Sequence, residues 1–257
     1  MANVIAGRTA LVTGAGNGLG RAISLHLVQA GARVILVGRT GAKLEDVARE
    51  ITSLGEVART ATCDTSDPSS VERLAVELAA EDVSILINNA GIAGPVAPLT
   101  EVDPLDWDET FAINVRGVFL MCRAFLPPMI SAARGDIINL ASVSGKRPLA
   151  GRTPYAASKM AVIGLTTTLA YEVGPLGVTV NSLSPGPVRG PRMERNFRLE
   201  AERTGTSEAD AERAFTSRSA LRRMVEEDEV GAAVVAMLHM PGMTAADVDL
   251  SAGMVGR

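Results

Sequence analysis

The sequence predicts an α/β fold, one doubly wound parallel sheet with helices on both faces. Three observations predict it. Short apolar runs rich in Val and Ile alternate with longer amphipathic stretches, the pattern of strands joined by crossover helices. A glycine-rich turn connects the first such run directly to the first helical stretch. Hydrophobic residues make up 47% of the 257 and charged residues 21%, enough apolar surface for a full core.

Strands are predicted at Thr9–Thr13, Arg33–Val37, Val57–Thr62, Val83–Ile87, Asp136–Ala141 and Val178–Leu183, each bounded by Gly, Asp, Asn or Pro. Between them the periodicity predicts helices at Leu19–Ala30, Lys43–Leu54, Pro68–Ala80 and Pro154–Val173, and one long helix over Leu105–Met129. A helix near Asp228–Leu238 and a short strand near Asp247–Leu250 close the sheet. Gly186–Ser219 breaks the alternation, being rich in Arg and Glu after a Pro-Gly-Pro turn. A helix is expected at Met193–Arg203, interrupted by Gly205. The stretch reads as a substrate lid over residues 187–219 or as a solvated helical hairpin.

The net charge of −4 offers no overall attraction to nucleic acid or to an anionic membrane. Met1–Arg8 is not a secretion signal, and no run approaches 18 uninterrupted apolar residues, so a cytoplasmic protein is expected. Cys63 and Cys122 match no metal-ligand spacing and read as buried reduced thiols. His26 and His239 pair with no acid at triad spacing, and Trp107 reads as a packing residue. No metal site is expected.

The first strand ends in Thr13-Gly14-Ala15-Gly16-Asn17-Gly18-Leu19-Gly20. Glycines there let the backbone turn tightly against a pyrophosphate, which sits on the free amides and positive dipole of the helix that follows. About 20 residues on, where an acid would accept from the adenosine ribose, stands Gly38-Arg39-Thr40. A guanidinium suits a 2′-phosphate, so Arg39 favours NADP over NAD, unless it is a solvated strand-end residue. Asp64, before Thr65, either receives the adenine amino group or caps a turn. Asn88-Asn89-Ala90-Gly91 ends the fourth strand at the sheet edge where such folds bind ligands.

Tyr155 and Lys159 stand four apart behind Pro154, which puts phenol and ammonium on one helical face. A free phenol has a pKa of about 10, and a neighbouring cation favours its phenolate. Ser142, just past the fifth strand, can hydrogen-bond a reacting oxygen on which charge develops.

Together these motifs resemble the short-chain dehydrogenase/reductase family over nearly the whole chain. The turn Thr13–Gly20, Asn88–Gly91, Asn114 in Asn-Val-Arg-Gly-Val-Phe, Ser142, Tyr155-x-x-x-Lys159 and Pro185-Gly186 occur in the family's order. The resemblance implies a Rossmann-like, seven-stranded sheet in one NAD(P)-binding domain spanning residues 1–257, and a tetrad of Asn114, Ser142, Tyr155 and Lys159. Tyrosine would be the acid in reduction and the base in oxidation. Lysine would lower its pKa and hold the nicotinamide ribose, serine would polarise the carbonyl, and asparagine would support a water in a proton relay. The cofactor would be held by Gly14, Asn17, Gly18, Leu19, Gly20, Arg39, Asp64, Thr65, Asn89, Ala90 and Gly91, and by Tyr155, Lys159, Pro185, Gly186 and Val188. A homotetramer or homodimer is implied, through the two long helices and the C-terminal strand. Three departures stand out. Asn17 replaces the basic residue frequent in NADP-preferring members. The turn Pro185–Gly190 lacks the threonine common two after the valine. Val248-Asp249-Leu250-Ser251-Ala252-Gly253 replaces the usual Val-Asp-Gly-Gly.

Basic residues gather where a small-molecule substrate would lie: Lys146, Arg147, Arg152, Arg189, Arg192 and Arg195. They point to an anionic hydroxy acid, polyol or sugar derivative, unless Glu194, Glu200 and Glu202 neutralise the lid arginines. The alternative reactions are reduction of a 3-oxoacyl thioester on an acyl-carrier protein and, in another class, non-catalytic dinucleotide sensing.

Overall fold

The computed structural model describes residues 4–255, with the side chains of Arg192 and Arg203 outside that description. The ends of the expected domain, including the start of the Met1–Arg8 segment, therefore lie outside the described residues. Seven strands, β1 (Thr9–Thr13), β2 (Arg33–Gly38), β3 (Ala58–Thr62), β4 (Val83–Asn88), β5 (Gly135–Leu140), β6 (Val178–Pro185) and β7 (Asp247–Leu250), form one sheet in the order β3-β2-β1-β4-β5-β6-β7. All pairings are parallel. Every residue of β1 and β4 is buried, as central strands covered on both faces require. Strand order reverses between β1 and β4, which opens a crevice beyond their carboxyl ends.

Helices α1 (Gly18–Gln29), α2 (Gly41–Ser53), α3 (Pro68–Glu77), α4 (Pro104–Phe111), α5 (Gly117–Ser131), α6 (Thr153–Val173) and α9 (Glu227–Leu238) flank the sheet. Two apolar clusters fill its faces. One joins Leu11, Leu86 and Ile137 to Val118, Met121 and Phe125 of α5, and the other joins Val12, Leu36 and Ile87 to Ile23 and Leu27 of α1 and Val230 and Val234 of α9. Cys63 and Cys122 are buried free thiols, and desolvation pushes Cys122 up to about 12.

Two expectations are corrected. The long helix over Leu105–Met129 is three pieces, because a π-type turn at Ala112–Arg116 separates α4 from α5. Such a turn adds one residue and re-aims a side chain, and here the side chain is Asn114. The run 104–131 is long and apolar enough to cross a membrane, but over half of its most apolar stretch is buried. In the region after β6, a second helix, α8 (Glu208–Thr216), follows α7 (Pro191–Thr204). The two make a helical hairpin around a small core of Met193, Phe197, Ala201, Ala211 and Met224, with Phe197 edge-on to Phe215 at 5.6 Å. The helical hairpin is thus present, and Met193, Asn196, Leu199 and Phe215 of it line the crevice.

β7 is only four half-buried residues, and charge holds it. Lys146, just after the turn that carries Ser142, pairs with Asp247 and Asp249 of β7. Asp247 also accepts hydrogen bonds from Ser182 and Ser184 of β6, both at 2.8 Å.

Candidate functional site

A cleft of about 960 Å³ runs along the carboxyl edge of the sheet, from the glycine-rich turn to the α7–α8 hairpin. At one end, Thr13 closes the turn from below. Its hydroxyl accepts from the amides of Asn89 and Ala90, each at 3.0 Å, while Asn89 Nδ2 donates to the carbonyls of Thr13 at 2.9 Å and Gly14 at 3.3 Å. Asn89 is therefore a strut between β1 and β4, and Ala90 and Gly91 form the wall beside it. Gly20 allows the closest approach: a Cβ there would collide with the Gly14 carbonyl oxygen and stand 2.7 Å from Asn89 Nδ2. No side chain caps α1 and its first turn carries no acid, so its amides and dipole are open to an anion. This cradle fits a dinucleotide pyrophosphate.

Arg39 is exposed at the end of β2 and lines the cleft beside Asp64. Asp64 Oδ1 accepts from the amide of Ser66 at 2.9 Å and its hydroxyl at 2.6 Å. These bonds, with the charges of Arg39 and Arg116, hold the carboxyl below its ordinary range. Asp64 thus caps a turn while still facing the cleft. Thr65 is buried on the cleft wall, against Gly117 at the start of α5.

At the middle of the cleft stand Ser142, Tyr155 and Lys159. Pro154 at the start of α6 sets the helix that presents the last two. Lys159 is only 6% exposed, and its Nζ donates to the Leu140 carbonyl at 2.7 Å and lies 5.8 Å from the Tyr155 ring centroid. The Arg152 guanidinium lies over the same ring at 5.2 Å and donates to the Ala93 carbonyl at 2.9 Å. Ser142 begins a short 3-10 turn and accepts from the Ser144 amide at 3.1 Å. Gly145 lets that turn settle against α6, since a Cβ would meet the Met160 amide nitrogen at 3.0 Å. Beneath them, Asn88 Nδ2 donates to Asn139 at 2.8 Å and Asn139 Nδ2 to Thr166 at 2.9 Å, tying β4, β5 and α6 together.

Asn114 sits behind the cleft. Its Oδ1 accepts from the Ile92 amide at 2.8 Å, and its Nδ2 donates to the Ile92 carbonyl at 2.9 Å and to Ser158 at 3.0 Å. The amide thus clamps the loop after β4 to α6. Pro185, Gly186 and Val188 line the far wall, where Val188 bridges to Val225. Gly14, Asn17, Gly18, Leu19 and Gly20 complete the near wall.

The predicted cations divide. Lys146 faces β7 and is neutralised there. Arg189 is held by Glu212 at 2.6 Å and Glu226 at 3.0 Å, and not by the nearer acids in sequence. Arg195 is exposed and off the cleft wall, and the side chain of Arg192 lies outside the described residues. Arg147 and Arg152 do line the cleft. Sequence reasoning missed Arg218 and Phe215, whose guanidinium and ring are 5.9 Å apart on the opposite wall. It also missed Glu227, another lining residue.

A family model described as short chain dehydrogenase matches residues 8–202. D-threitol dehydrogenase of Mycolicibacterium smegmatis is 40% identical over 181 residues, 70% of this chain and 69% of that protein. The solved structure of NAD+-bound xylitol dehydrogenase superposes with a TM-score of 0.89 at 29% identity, covering 97% of this chain and 99% of that one. A variant of actinorhodin polyketide ketoreductase, solved with NADPH, gives a TM-score of 0.90 at 30% identity over 99% of both chains. The chain belongs to the short chain dehydrogenase family and is an NAD(P)-dependent oxidoreductase acting on CH–OH and carbonyl groups.

Proposed function

We propose that this enzyme interconverts a carbonyl and a secondary alcohol on a small, oxygenated, anionic substrate such as a hydroxy acid or an acidic sugar or polyol derivative. The observation that carries this reading is the meeting of Ser142, Tyr155 and Lys159 in one cleft whose outer walls bring Arg147 and Arg218. Neither arginine has a carboxylate partner among the described residues, unlike Arg189. A nicotinamide, when bound, supplies or accepts the hydride. The Tyr155 phenol gives a proton to the reacting oxygen in reduction and takes it back in oxidation. The buried Lys159 cation favours the phenolate, and the Ser142 hydroxyl donates to the oxygen as negative charge gathers there. Asn114, its amide engaged on Ile92 and Ser158, keeps the loop after β4 in register with the helix that carries tyrosine and lysine.

The cofactor reading favours NADP, because Arg39 is the exposed cation at the end of β2. NADPH is expected to bind about 10–100-fold more tightly than NADH, the worth of a hydrogen-bonded charge pair. Arg39→Asp should reverse that order in a nicotinamide-fluorescence titration. Preference for NADH in the unaltered protein would place Arg39 outside the cofactor contact.

The substrate reading is tested by initial rates on a panel of hydroxy acids, neutral polyols and 3-oxoacyl thioesters. Arg147→Leu is expected to raise KM for carboxylate substrates about 10–100-fold and to leave neutral polyols little changed. The thioester reading has its own support. Val96, Leu149 and Leu199 line the cleft and are each more than half exposed, a surface suited to an acyl chain. Preferential turnover of thioesters would favour it. Assembly of cytoplasmic copies is also part of the proposal: Met160 and Tyr171, eleven apart on α6 and so on one face, are exposed, as is Phe119 of α5.

A further inference from the structure

α9 begins with three acids, Glu227, Asp228 and Glu229. Two of them have assigned work. Glu229 accepts from the Glu226 amide at 2.9 Å in a capping box and pairs with Arg223 at 2.6 Å. Asp228 pairs with His26 of α1 at 2.7 Å. Glu227 makes no hydrogen bond or ion pair among the described residues and instead lines the cleft. Its Oε1 is the atom a Cβ on Gly18 would meet at 3.5 Å and the atom a Cβ on Gly190 would meet at 3.4 Å. Those glycines belong to the pyrophosphate cradle and to the start of the α7–α8 hairpin. The carboxylate therefore stands where the cradle's open amides would otherwise see only an incoming anion.

We propose that Glu227 is a counter-charge to the cofactor, a residue that weakens dinucleotide binding and hastens its release by repelling the pyrophosphate. The proposal rests on the dinucleotide reading of the cleft. Helix stabilisation alone does not account for the residue, since Asp228 and Glu229 already place negative charge on the α9 dipole. Glu227 is within electrostatic reach of Arg21 in the first turn of α1, and its carboxylate borders the cradle at Gly18. Like charges separated by several ångströms in a half-buried cleft repel measurably, and salt screens the repulsion. In an enzyme whose turnover requires cofactor exchange, a carboxylate here keeps the exchange fast.

The test is an equilibrium titration of the full chain with NADPH and with NADH, followed by nicotinamide fluorescence, on the unaltered protein, Glu227→Gln and Glu56→Gln. Glu56 is exposed and off the cleft wall, so its variant reports the effect of net charge alone. Glu227→Gln is expected to tighten binding about three- to tenfold at low salt, with the gain shrinking as ionic strength rises. Glu56→Gln should leave affinity unchanged. Equal or weaker binding by Glu227→Gln, or an equal gain in both variants, would overturn the proposal. Binding of neither cofactor by the unaltered protein would overturn the dinucleotide reading and the Glu227 proposal together. Binding without the Glu227→Gln gain would overturn only the latter.

Discussion

Tyr155→Phe is expected to lower turnover by about 10²–10⁴-fold, the usual worth of a positioned acid or base, while leaving cofactor affinity close to that of the unaltered protein. The substitution removes one oxygen and keeps the ring. The Lys159 ammonium and the Arg152 guanidinium, 5.8 and 5.2 Å from the ring centroid, keep their aromatic neighbour. Lys159 also keeps its bond to the Leu140 carbonyl, so the cleft should hold its shape. What disappears is the phenolic hydroxyl, the group proposed to exchange a proton with the reacting oxygen. Initial rates on the best substrate of the panel, paired with a fluorescence titration, separate the two effects. Full turnover by the variant would sink the assignment of Tyr155 as the acid and base, whereas absence of turnover on every substrate by the unaltered protein, with cofactor bound, would favour a non-catalytic dinucleotide sensor.

The second large effect is expected at Gly20. In Gly20→Ala the new methyl falls inside the contact distance of the Gly14 carbonyl oxygen and against Asn89 Nδ2. Neither can yield cheaply. Gly14 is the backbone of the cradle, and Asn89 is fixed by two hydrogen bonds to Thr13 and Gly14 carbonyls. Either α1 withdraws from the end of β1 or the turn opens. Overpacking of this kind costs about 1–3 kcal/mol, and a displaced cradle loses the amide geometry that an anion needs. The expected result is a lower Tm and a cofactor Kd raised at least about tenfold. An alanine variant that melted and bound like the unaltered protein would mean that the turn is not a rigid cradle.

Local chemistry explains which parts could be read ahead. β1 was legible to the residue because four of its five positions are β-branched or small, the fifth is the apolar Leu11, and a glycine turn ends it. Tyr155 and Lys159 were legible because helical spacing alone puts them on one face. β6 runs two residues beyond expectation, through Ser184-Pro185, because its extension is set by pairing to Asp249 and Leu250, and a Ser-Pro pair reads locally as a loop. The π-type turn was hidden because one inserted residue barely disturbs an apolar periodicity over twenty-five. α8 carried a signal that went unread. Ser207 and Asp210 form a capping box, but the short helix that follows carries charge at four of its nine positions. Lys146 was misread for a different reason. Beside Ser142 in sequence, it resembled a substrate ligand, while its true partners lie 101 and 103 positions away.

That last distance has a bearing on how the molecule is made. The sheet from β3 to β6, the glycine cradle and α6 all belong to chain that leaves the ribosome before Asp247 does. Until Asp247 and Asp249 arrive, the lysine beside the Ser142 turn lacks its counter-charges, and contacts so remote in sequence form late in folding. Synthesis would thus complete both ends of the groove late, since α1 of the cradle packs on α9 and the serine turn waits for β7, and a chain ended before Asp247 would lack the anchor of its reacting end.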